Sequence, residues 1–273
     1  MRILIDLQPC QSESRFRGIG RYSLSLALAI ARNASSHEVW LLLNDRFPDS
    51  VLAIRQTFAN LIPPQRIVVF SIPADISERH AHRLSLTKAS EKIRAYFIAT
   101  LAPDVVHVSS LFEGWADDVV TSIGSLSTLN QPTSVTLYDL IPLIKPDIYL
   151  ANKQVKSYYF RKVEALKKSN RLLAISESSR YEVIDRLGID ASKVVNISAA
   201  ADQAFKPIHL TDVARQKLFW QYGITQPFLM YAPGGFDQRK NLQRLIQAYA
   251  ELDERMRRQH QLVITGKLPP VMK

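Results

Sequence analysis

Short apolar runs alternate with amphipathic segments along most of this chain. The runs are rich in Val, Ile and Leu and lack strict polar alternation, which is typical of strands buried on both faces. They cover residues 2–7, 38–43, 66–70, 104–108, 134–138, 171–175 and 194–197. Because strands that alternate with helices favour right-handed βαβ crossovers, the pattern predicts an α/β fold with a doubly wound parallel sheet.

The helix that follows the sixth run has recognisable ends. Ser179 and Glu182 have the spacing of a capping box before Val183. Gly188 is suited to a left-handed C-terminal cap. The sequence therefore predicts a helix that begins near Ser179 and ends at Gly188.

A second α/β unit is predicted after residue 205. Its elements are a helix, a strand, a helix and a strand, at residues 211–222, 228–232, 241–252 and 261–265. We therefore predict a complete N-terminal Rossmann-like domain, residues 1–205, and the first βαβ portion of a second one, residues 206–273. A single βαβ portion leaves its sheet edges unpaired, so this second domain is expected to be incomplete.

Composition narrows the class of protein. No apolar stretch approaches the roughly 20 residues of a membrane-spanning helix, and the first residues resemble a strand rather than a signal peptide. Cys10 is the only cysteine in the sequence, which excludes an internal disulfide and a cysteine-rich zinc site. These features predict a soluble, cytoplasmic protein.

The formal net charge of +10 favours anionic partners such as nucleotide diphosphates, lipid phosphates or anionic membranes. No zinc-finger spacing, aromatic RNA-binding signature or basic arm is present, so a nucleic-acid partner is not expected. Residues 145–168 combine basic side chains with Ile148, Tyr149 and Phe160. Such a surface suits peripheral contact with the inner face of an anionic membrane, although a helix with one solvated face explains the same pattern.

A glycine turn follows the first strand and precedes an apolar helix. Gly18 and Gly20 let backbone N–H groups approach an anion at the N-terminus of that helix. The third glycine of a dinucleotide fingerprint is missing, and Asp45 comes later than a ribose-binding acid should. The turn indicates an anion site, with a tight strand-to-helix turn that binds nothing as the alternative.

Polar side chains also follow the fourth and fifth strands. Asp139 comes directly after a buried strand, where ligands of open α/β sheets collect, and it either binds sugar hydroxyls or caps a loop. Residues 107–115 end another strand in the same way, and their polar and aromatic side chains, Glu113 among them, suit a sugar. His107 lies inside the strand, so we interpret it as a core histidine.

The strongest anion-binding pattern lies in the second unit. Arg239 and Lys240 precede a helix start, so that their charges and the helix N–H groups can converge on a diphosphate. A solvated basic turn is the alternative. No Asp-x-Asp motif occurs in the sequence. We therefore expect no metal and no other cofactor, and helix ends with basic side chains must neutralise a leaving diphosphate.

Taken together, five segments resemble glycosyltransferase family 4, of the two-domain GT-B architecture, and especially its bacterial mannosyltransferase-like members that assemble surface polysaccharide. The segments are residues 18–22, 104–110, 138–142, 174–179 and 239–241. The resemblance implies an N-terminal domain that binds the acceptor and a C-terminal domain that binds the sugar nucleotide. It also implies that the reaction occurs in the cleft between them.

The resemblance assigns a donor-binding role to residues at matching positions. Four residues would bind the donor diphosphate: Gly18, Gly20, Arg239 and Lys240. An arginine that many relatives carry after the glycine of the second-domain turn is replaced here by Gly235 or Phe236. This departure leaves Lys240 as the principal cation.

The acceptor and sugar contacts follow from the same resemblance. Tyr138 and Asp139 stand where many relatives have His-Asp near the transferred sugar, so Asp139 is the candidate catalytic residue. Tyr22, Glu113 and Tyr138 are the candidate acceptor or sugar contacts. Tyr138 departs from the family's histidine at its position.

The implied reaction is transfer of a hexose, with mannose from GDP-mannose as the first candidate, to a saccharide or lipid-linked acceptor. The anomeric configuration would be retained. The paired glutamates that hold the donor in relatives would lie beyond Lys273, so this chain is expected to be truncated and inactive by itself. Two alternatives stay open: a catalytically dead sugar- or partner-binding remnant, and a nicotinamide-dependent oxidoreductase.

Overall fold

The chain forms two compact units, Met1–Ala201 and Asp202–Lys273. The computed structural model describes residues 1–126, 131–202, 205–234 and 238–266. The first unit contains a seven-stranded sheet, and the second contains a two-stranded sheet.

All seven strands predicted for the first unit are present in one parallel sheet. In chain order they are β1 (Arg2–Asp6), β2 (Glu38–Asn44), β3 (Ile67–Phe70), β4 (Val105–Val108), β5 (Thr133–Leu137), β6 (Arg171–Ala174) and β7 (Val194–Asn196). Their order across the sheet is β3-β2-β1-β4-β5-β6-β7, and every pairing is parallel. The strand order reverses between β1 and β4, which is where doubly wound sheets bind ligands.

Helices cover both faces of this sheet. They are α1 (Gly18–Arg32), α2 (Pro48–Phe58), α3 (Leu84–Thr100), α4 (Ile141–Ile144), α5 (Pro146–Tyr149), α6 (Lys153–Lys167) and α7 (Glu177–Leu187). Successive strand residues face opposite sides. Leu4 therefore belongs to one core cluster with Ile98 of α3 and Leu166 of α6, whereas Ile5 belongs to another with Phe58 of α2. Among the helices that the structure describes, none is both long and apolar enough to cross a membrane.

The start of α7 differs from the prediction by three residues. Ser176 is the N-cap, and its Oγ accepts a hydrogen bond from the Ser179 backbone N–H at 3.1 Å. Glu182 lies inside the helix and accepts from the Leu140 N–H at 3.3 Å. The predicted start at Ser179 is wrong because Ser176, two residues after β6, offers the same hydroxyl earlier in the chain. The cap at Gly188 is confirmed, with φ of +63°.

In the described residues of the second unit, a parallel strand pair is preceded by one α-helix and connected by two others. Its elements are α8 (Asp212–Gln221), β8 (Phe228–Tyr231), α9 (Leu242–Ala250), α10 (Glu254–Gln259) and β9 (Gln261–Ile264). β8 and β9 pair in parallel, from Phe228 with Gln261 to Tyr231 with Ile264. The predicted strands and helices of this unit are present, and α10 is an additional helix.

A buried polar network holds the chain after β4 against the end of β1. Asp6 and Arg94 form an ion pair of 2.6 Å, and both side chains are almost fully buried. Gln8 donates to the Val120 carbonyl at 2.7 Å and accepts from the Val120 N–H at 2.9 Å. Breaking a buried ion pair costs about 3–5 kcal/mol. The network therefore fixes the loop that carries Glu113.

Candidate active site

The turn between β1 and α1 contains two short 3-10 helices, Gln8–Cys10 and Glu13–Phe16. The second of them packs directly on Gly20. A Cβ atom at Gly20 would lie 2.4 Å from the Ser14 carbonyl oxygen and 2.4 Å from the Arg15 Cα. Both separations are far inside van der Waals contact, so only glycine fits at this position. Local packing is therefore sufficient to explain Gly20.

Gly18, in contrast, has open space where a side chain would be. It is the first residue of α1, whose N-terminus has no capping side chain and no acidic residue in its first turn. Arg17 and Arg21 are exposed next to it. Because helix N-termini carry partial positive charge, this first turn and its two cations favour an anion.

Glu113 is a buried carboxyl group next to this turn. Ser14 Oγ lies 3.2 and 3.0 Å from its two carboxylate oxygens, and Ser110 Oγ donates to one of them at 3.1 Å. Burial raises the pKa of Glu113 to about 7; the two serine hydroxyls lower the pKa, and the nearby charge of Asp117 raises it. Glu113 can therefore take up or release a proton near neutral pH, which suits a contact to a reacting sugar hydroxyl.

Tyr22 and Tyr138 pack edge to face, with ring centroids 5.6 Å apart. Tyr138 Oη donates to the Ile19 carbonyl at 3.2 Å and lies 2.9 Å from Ser23 Oγ. Burial raises the pKa of Tyr138. Tyr22 Oη donates to the Ser198 carbonyl at 2.7 Å. Both hydroxyl groups thus bond within the protein and hold the first turns of α1, and the half-buried rings offer apolar surface to a ligand.

Asp139 lies two residues after the end of β5 and is exposed. Its Oδ1 accepts a hydrogen bond from the Ile141 N–H at 3.1 Å, at the start of α4. Its second oxygen has no hydrogen-bond partner among the residues that the structure describes. One oxygen therefore anchors the loop, and the other faces outward for a hydroxyl group.

These candidates of the first unit lie at the carboxyl ends of three neighbouring strands. The glycine turn follows β1, Glu113 follows β4, and Tyr138 and Asp139 follow β5. Electrostatic coupling reflects their closeness, because Tyr22 and Glu113 both contribute to the raised pKa of Tyr138, after burial. The structure thus brings the glycine turn together with these side chains at the edge where such sheets bind ligands.

Arg239 and Lys240 belong to the second unit, where they form part of a short 3-10 helix and are exposed. Asn241, with φ of +53°, joins that helix to α9. The N-terminus of α9 has no capping side chain and no acidic residue in its first turn. The predicted pair of cations before a helix start is therefore present. Gly235 and Phe236, where the family's additional arginine is missing, lie outside the described residues.

His107 is a core histidine, as predicted. Its Nδ1 lies 2.9 Å from Ser134 Oγ and its Nε2 lies 3.0 Å from Thr136 Oγ1. Burial lowers the pKa of His107 to about 4. The ring is therefore neutral at physiological pH and bridges two strands.

Three serines of the site were not predicted. Ser14 reaches Glu113 only because the turn folds over Gly20, and a loop conformation of this kind has no sequence pattern. Ser23 was open to prediction, because it lies one helical turn after Ile19 and both contact Tyr138. Ser110 stands three residues before Glu113 in the polar segment after β4.

Solved glycosyltransferases share this fold. Alr3699/HepE of Anabaena, in complex with UDP and glucose, aligns with a TM-score of 0.54 at 14% identity, over 97% of this chain and 60% of that chain. A glycosyltransferase of Rickettsia africae aligns with a TM-score of 0.52 at 13% identity, over 97% of this chain and 68% of that chain. The likeness defines the fold as that of GT-B glycosyltransferases.

Residues 16–204 match the model of Glycosyltransferase Family 4, and the chain belongs to that family. The serotype-specific mannosyltransferase WbdA of Escherichia coli is 32% identical over 271 residues, which are 99% of this chain and 32% of that protein. A second WbdA sequence is 30% identical over 246 residues, or 90% of this chain and 30% of that protein. The chain thus spans about a third of the length of these relatives. Its family sets it apart from the nicotinamide-dependent oxidoreductases.

Proposed function

We propose that this chain acts in a retaining glycosyltransferase that transfers a hexose from a nucleotide-diphosphate sugar to a saccharide or lipid-linked acceptor of surface polysaccharide. Mannose is the first candidate for the hexose. The observation that carries the proposal is the grouping of Glu113, Asp139 and the uncapped start of α1 at neighbouring strand ends. The relatives support it, since WbdA is named a mannosyltransferase and Alr3699/HepE was solved with UDP and glucose.

In this proposal the first unit binds the acceptor and the transferred sugar. Glu113 accepts a hydrogen bond from a sugar hydroxyl, and its pKa of about 7 lets it do so as a carboxylate above neutral pH. Asp139 offers its outward oxygen to a second hydroxyl. The rings of Tyr22 and Tyr138 supply apolar surface beside them.

For the donor diphosphate we assign Arg239 and Lys240, which precede the uncapped start of α9 in the second unit. Gly18 and Gly20 lie in the first turn of α1, whose uncapped N-terminus is assigned as an anion site of the first unit. Departure of the nucleotide diphosphate creates an oxocarbenium-like centre, the acceptor hydroxyl attacks the same face, and its proton passes to a phosphate oxygen. The protein orients both substrates and stabilises the leaving charge.

A panel of sugar nucleotides tests this function. We expect GDP-mannose to raise the melting temperature of the protein more than UDP-glucose does, and transfer to keep the anomeric configuration, as read from the product's NMR coupling constants. EDTA should leave transfer unchanged, because the basic groups neutralise the leaving diphosphate. Inversion of configuration, or loss of transfer in EDTA with recovery in magnesium or manganese, contradicts the proposal.

A second candidate is a sugar- or partner-binding chain without transfer activity. The short span of this chain relative to WbdA favours it. Comparing GDP-mannose turnover by these 273 residues with turnover by a longer form that spans the length of WbdA separates the two, since a binding remnant gives none in either form. The expectation that these residues transfer little or no sugar by themselves rests on the same measurement.

We also propose peripheral contact of the first unit with anionic lipid. Exposed apolar and basic side chains occur close together in sequence on α5 and α6. The apolar ones are Ile148 and Phe160, and the basic ones are Lys153 and Lys156. Basic side chains are attracted to anionic headgroups, and apolar ones enter the interface. Sedimentation with phosphatidylglycerol vesicles, but not with phosphatidylcholine vesicles, is the expected result, and Lys153→Glu with Lys156→Glu should abolish it.

A further inference from the structure

A cavity of about 580 Å³ opens in the first unit between the segments that follow β3 and β4. Its polar walls carry both signs of charge. The segment after β3 contributes Arg79, His80, His82 and Arg83, with Asp75 before them. The segment after β4 contributes Asp117 and Asp118.

The basic wall leads directly into α3. This helix has 17 residues, no capping side chain and no acidic residue in its first turn. The rings of His80 and His82 lie 5.9 Å apart. Among the residues that the structure describes, Arg79 and Arg83 take part in no ion pair. Two guanidinium groups outside any ion pair, two imidazoles and the N-terminus of α3 therefore line one side of the cavity, with the Asp75 carboxylate beside them. The cationic groups and the helix N-terminus together suit a phosphate group.

The two carboxylates of the acidic wall differ in how many hydrogen bonds and ion pairs they form within the protein. Asp118 accepts from the Ile76 N–H at 2.9 Å and pairs with Arg46 at 3.4 Å, which neutralises its charge. Asp117 accepts a single hydrogen bond through Oδ1, from the Val119 N–H at 3.2 Å. Its second oxygen has no such partner within the described parts of the chain. Asp117 is thus the carboxylate on this wall that can accept from a hydroxyl group.

Backbone hydrogen bonds connect the basic wall of the cavity to the loop that carries Glu113. The Glu78 N–H donates to the Gly114 carbonyl at 3.2 Å, and the Arg79 N–H donates to the Trp115 carbonyl at 2.9 Å. The basic segment is therefore hydrogen-bonded to the two residues that follow Glu113. The Asp117 carboxylate is also close enough to Glu113 to influence its ionisation.

We infer that the cavity binds a phosphorylated part of the saccharide acceptor. Arg79, Arg83 and the two histidines hold the phosphate, and Asp117 accepts from a hydroxyl of the same sugar. An inorganic anion has no sugar hydroxyl group to donate to Asp117, and a neutral sugar has no charge for the arginines to bind. The inference rests on the proposed function, because it specifies the acceptor of that same site.

Calorimetric titration of the 273-residue chain with mannose 6-phosphate, mannose and inorganic phosphate tests the inference. We expect mannose 6-phosphate to bind at least about tenfold more tightly than either of the others, since it uses both walls. It should also shift the imidazole NMR signals of His80 and His82. Arg79→Gln should weaken binding about tenfold or more, whereas Arg32→Gln, an exposed position at the end of α1, should leave it unchanged.

Several outcomes overturn the inference. Equal affinity for inorganic phosphate and mannose 6-phosphate would show a site that binds any anion. If Arg79→Gln and the double variant His80→Ala, His82→Ala both keep the wild-type affinity for mannose 6-phosphate, the ligand binds elsewhere. Displacement of mannose 6-phosphate by GDP places it at the nucleotide site. A parallel titration with GDP-mannose keeps the two proposals apart. If GDP-mannose binds and mannose 6-phosphate does not, the inference about this cavity is rejected and the proposed function stands. If mannose 6-phosphate binds and GDP-mannose does not, the proposed binding of the nucleotide sugar is rejected and the cavity inference stands.

Discussion

Ser14 Oγ lies within 3.2 Å of both carboxylate oxygens of Glu113, although 99 positions separate the two residues in the chain. The contact depends on Gly20, because the Ser14 backbone occupies the space that a side chain there would fill. It depends equally on Gln8, which holds the loop of Glu113 through Val120. The environment of the carboxyl group is thus set by Gln8, two residues after β1, and by Gly20 in the first turn of α1.

Replacing Gly20 by alanine should destabilise the first unit. The added Cβ would lie 2.4 Å from backbone atoms of Ser14 and Arg15, and neither can move without displacing the turn. Overpacking of this kind costs about 1–3 kcal/mol. Urea unfolding measures the effect.

Gly18→Ala is the matched control for stability. Nothing lies within 4 Å of the added Cβ, and alanine suits the first turn of a helix. We expect a change within about 0.5 kcal/mol. If Gly20→Ala is as stable as Gly18→Ala, the close packing described for this turn is wrong.

Glu113 should make folding stability depend on pH. Burial raises its pKa from 4.5 to about 7, so the folded chain keeps a proton that the unfolded chain has lost. Stability is therefore lost as pH rises from about 4.5 towards about 7, by an amount on the order of 3 kcal/mol. Glu113→Gln removes this pH dependence. The free energy of unfolding of the variant should therefore rise relative to that of the wild type between about pH 5 and about pH 8.

Urea unfolding of both proteins at the two pH values gives the comparison. Glu251→Gln, at an exposed position, controls for the loss of one carboxylate from the surface. A constant stability difference between Glu113→Gln and the wild type at both pH values would show that the carboxyl group is not buried as described.

The fold was predictable from the sequence because the same strand-and-helix pattern recurs several times along the chain. Seven apolar runs, each bounded by a helix pattern, indicate parallel strands, and a one-residue error at an end leaves the topology unchanged. The boundary of α7 was less predictable, since Ser176 and Ser179 both precede acidic or polar positions with capping spacing. Only the distance from β6 decides between them.

The site was predictable only in part, and the reason is physical. Asp139 is placed by its strand, because a residue one or two positions after β5 reaches the ligand edge of the sheet. The hydrogen bonds of Glu113 come instead from a loop that is distant in sequence, and no local pattern encodes them. Tyr138 was expected to contact the acceptor or sugar, but its hydroxyl group donates to the Ile19 carbonyl of α1, so only its ring is left for such a contact.

Asp139→Asn should lower the rate of transfer more than it lowers stability. The asparagine side-chain oxygen can still accept from the Ile141 N–H, so the loop keeps its anchor. The outward carboxylate oxygen is lost, and with it a charge-assisted bond to a sugar hydroxyl, worth about 1.5–3 kcal/mol. We expect kcat to fall by about tenfold or more, with the melting temperature nearly unchanged.

Asp185→Asn, an exposed carboxylate on α7, is the control for the loss of one negative charge. Because these 273 residues are expected to transfer little or no sugar alone, the measurement is the kinetics of GDP-mannose turnover with a saccharide acceptor in a longer form that spans the length of WbdA. An unchanged kcat in Asp139→Asn would leave Asp139 with its loop-anchoring role alone.

Lys240→Ala should weaken binding of the nucleotide sugar. Lys240 is exposed directly before α9, whose N-terminus lacks both a side-chain cap and an acidic residue in its first turn. A diphosphate at that N-terminus would gain one charge-assisted hydrogen bond from the lysine, worth about 1.5–3 kcal/mol. Because about 1.4 kcal/mol corresponds to tenfold in affinity, the dissociation constant should rise roughly ten- to hundredfold.

Lys217→Ala provides the matched comparison, since it removes an exposed lysine from α8 within the same unit. Calorimetric titration of each variant with GDP-mannose and with GDP separates the contribution of the diphosphate from that of the sugar. A contact to the diphosphate predicts the same loss for both ligands, and the loss should shrink at high salt because exposed charges are screened. A loss confined to GDP-mannose would place Lys240 at the sugar, and an equal loss in Lys217→Ala would reduce its role to general electrostatic attraction.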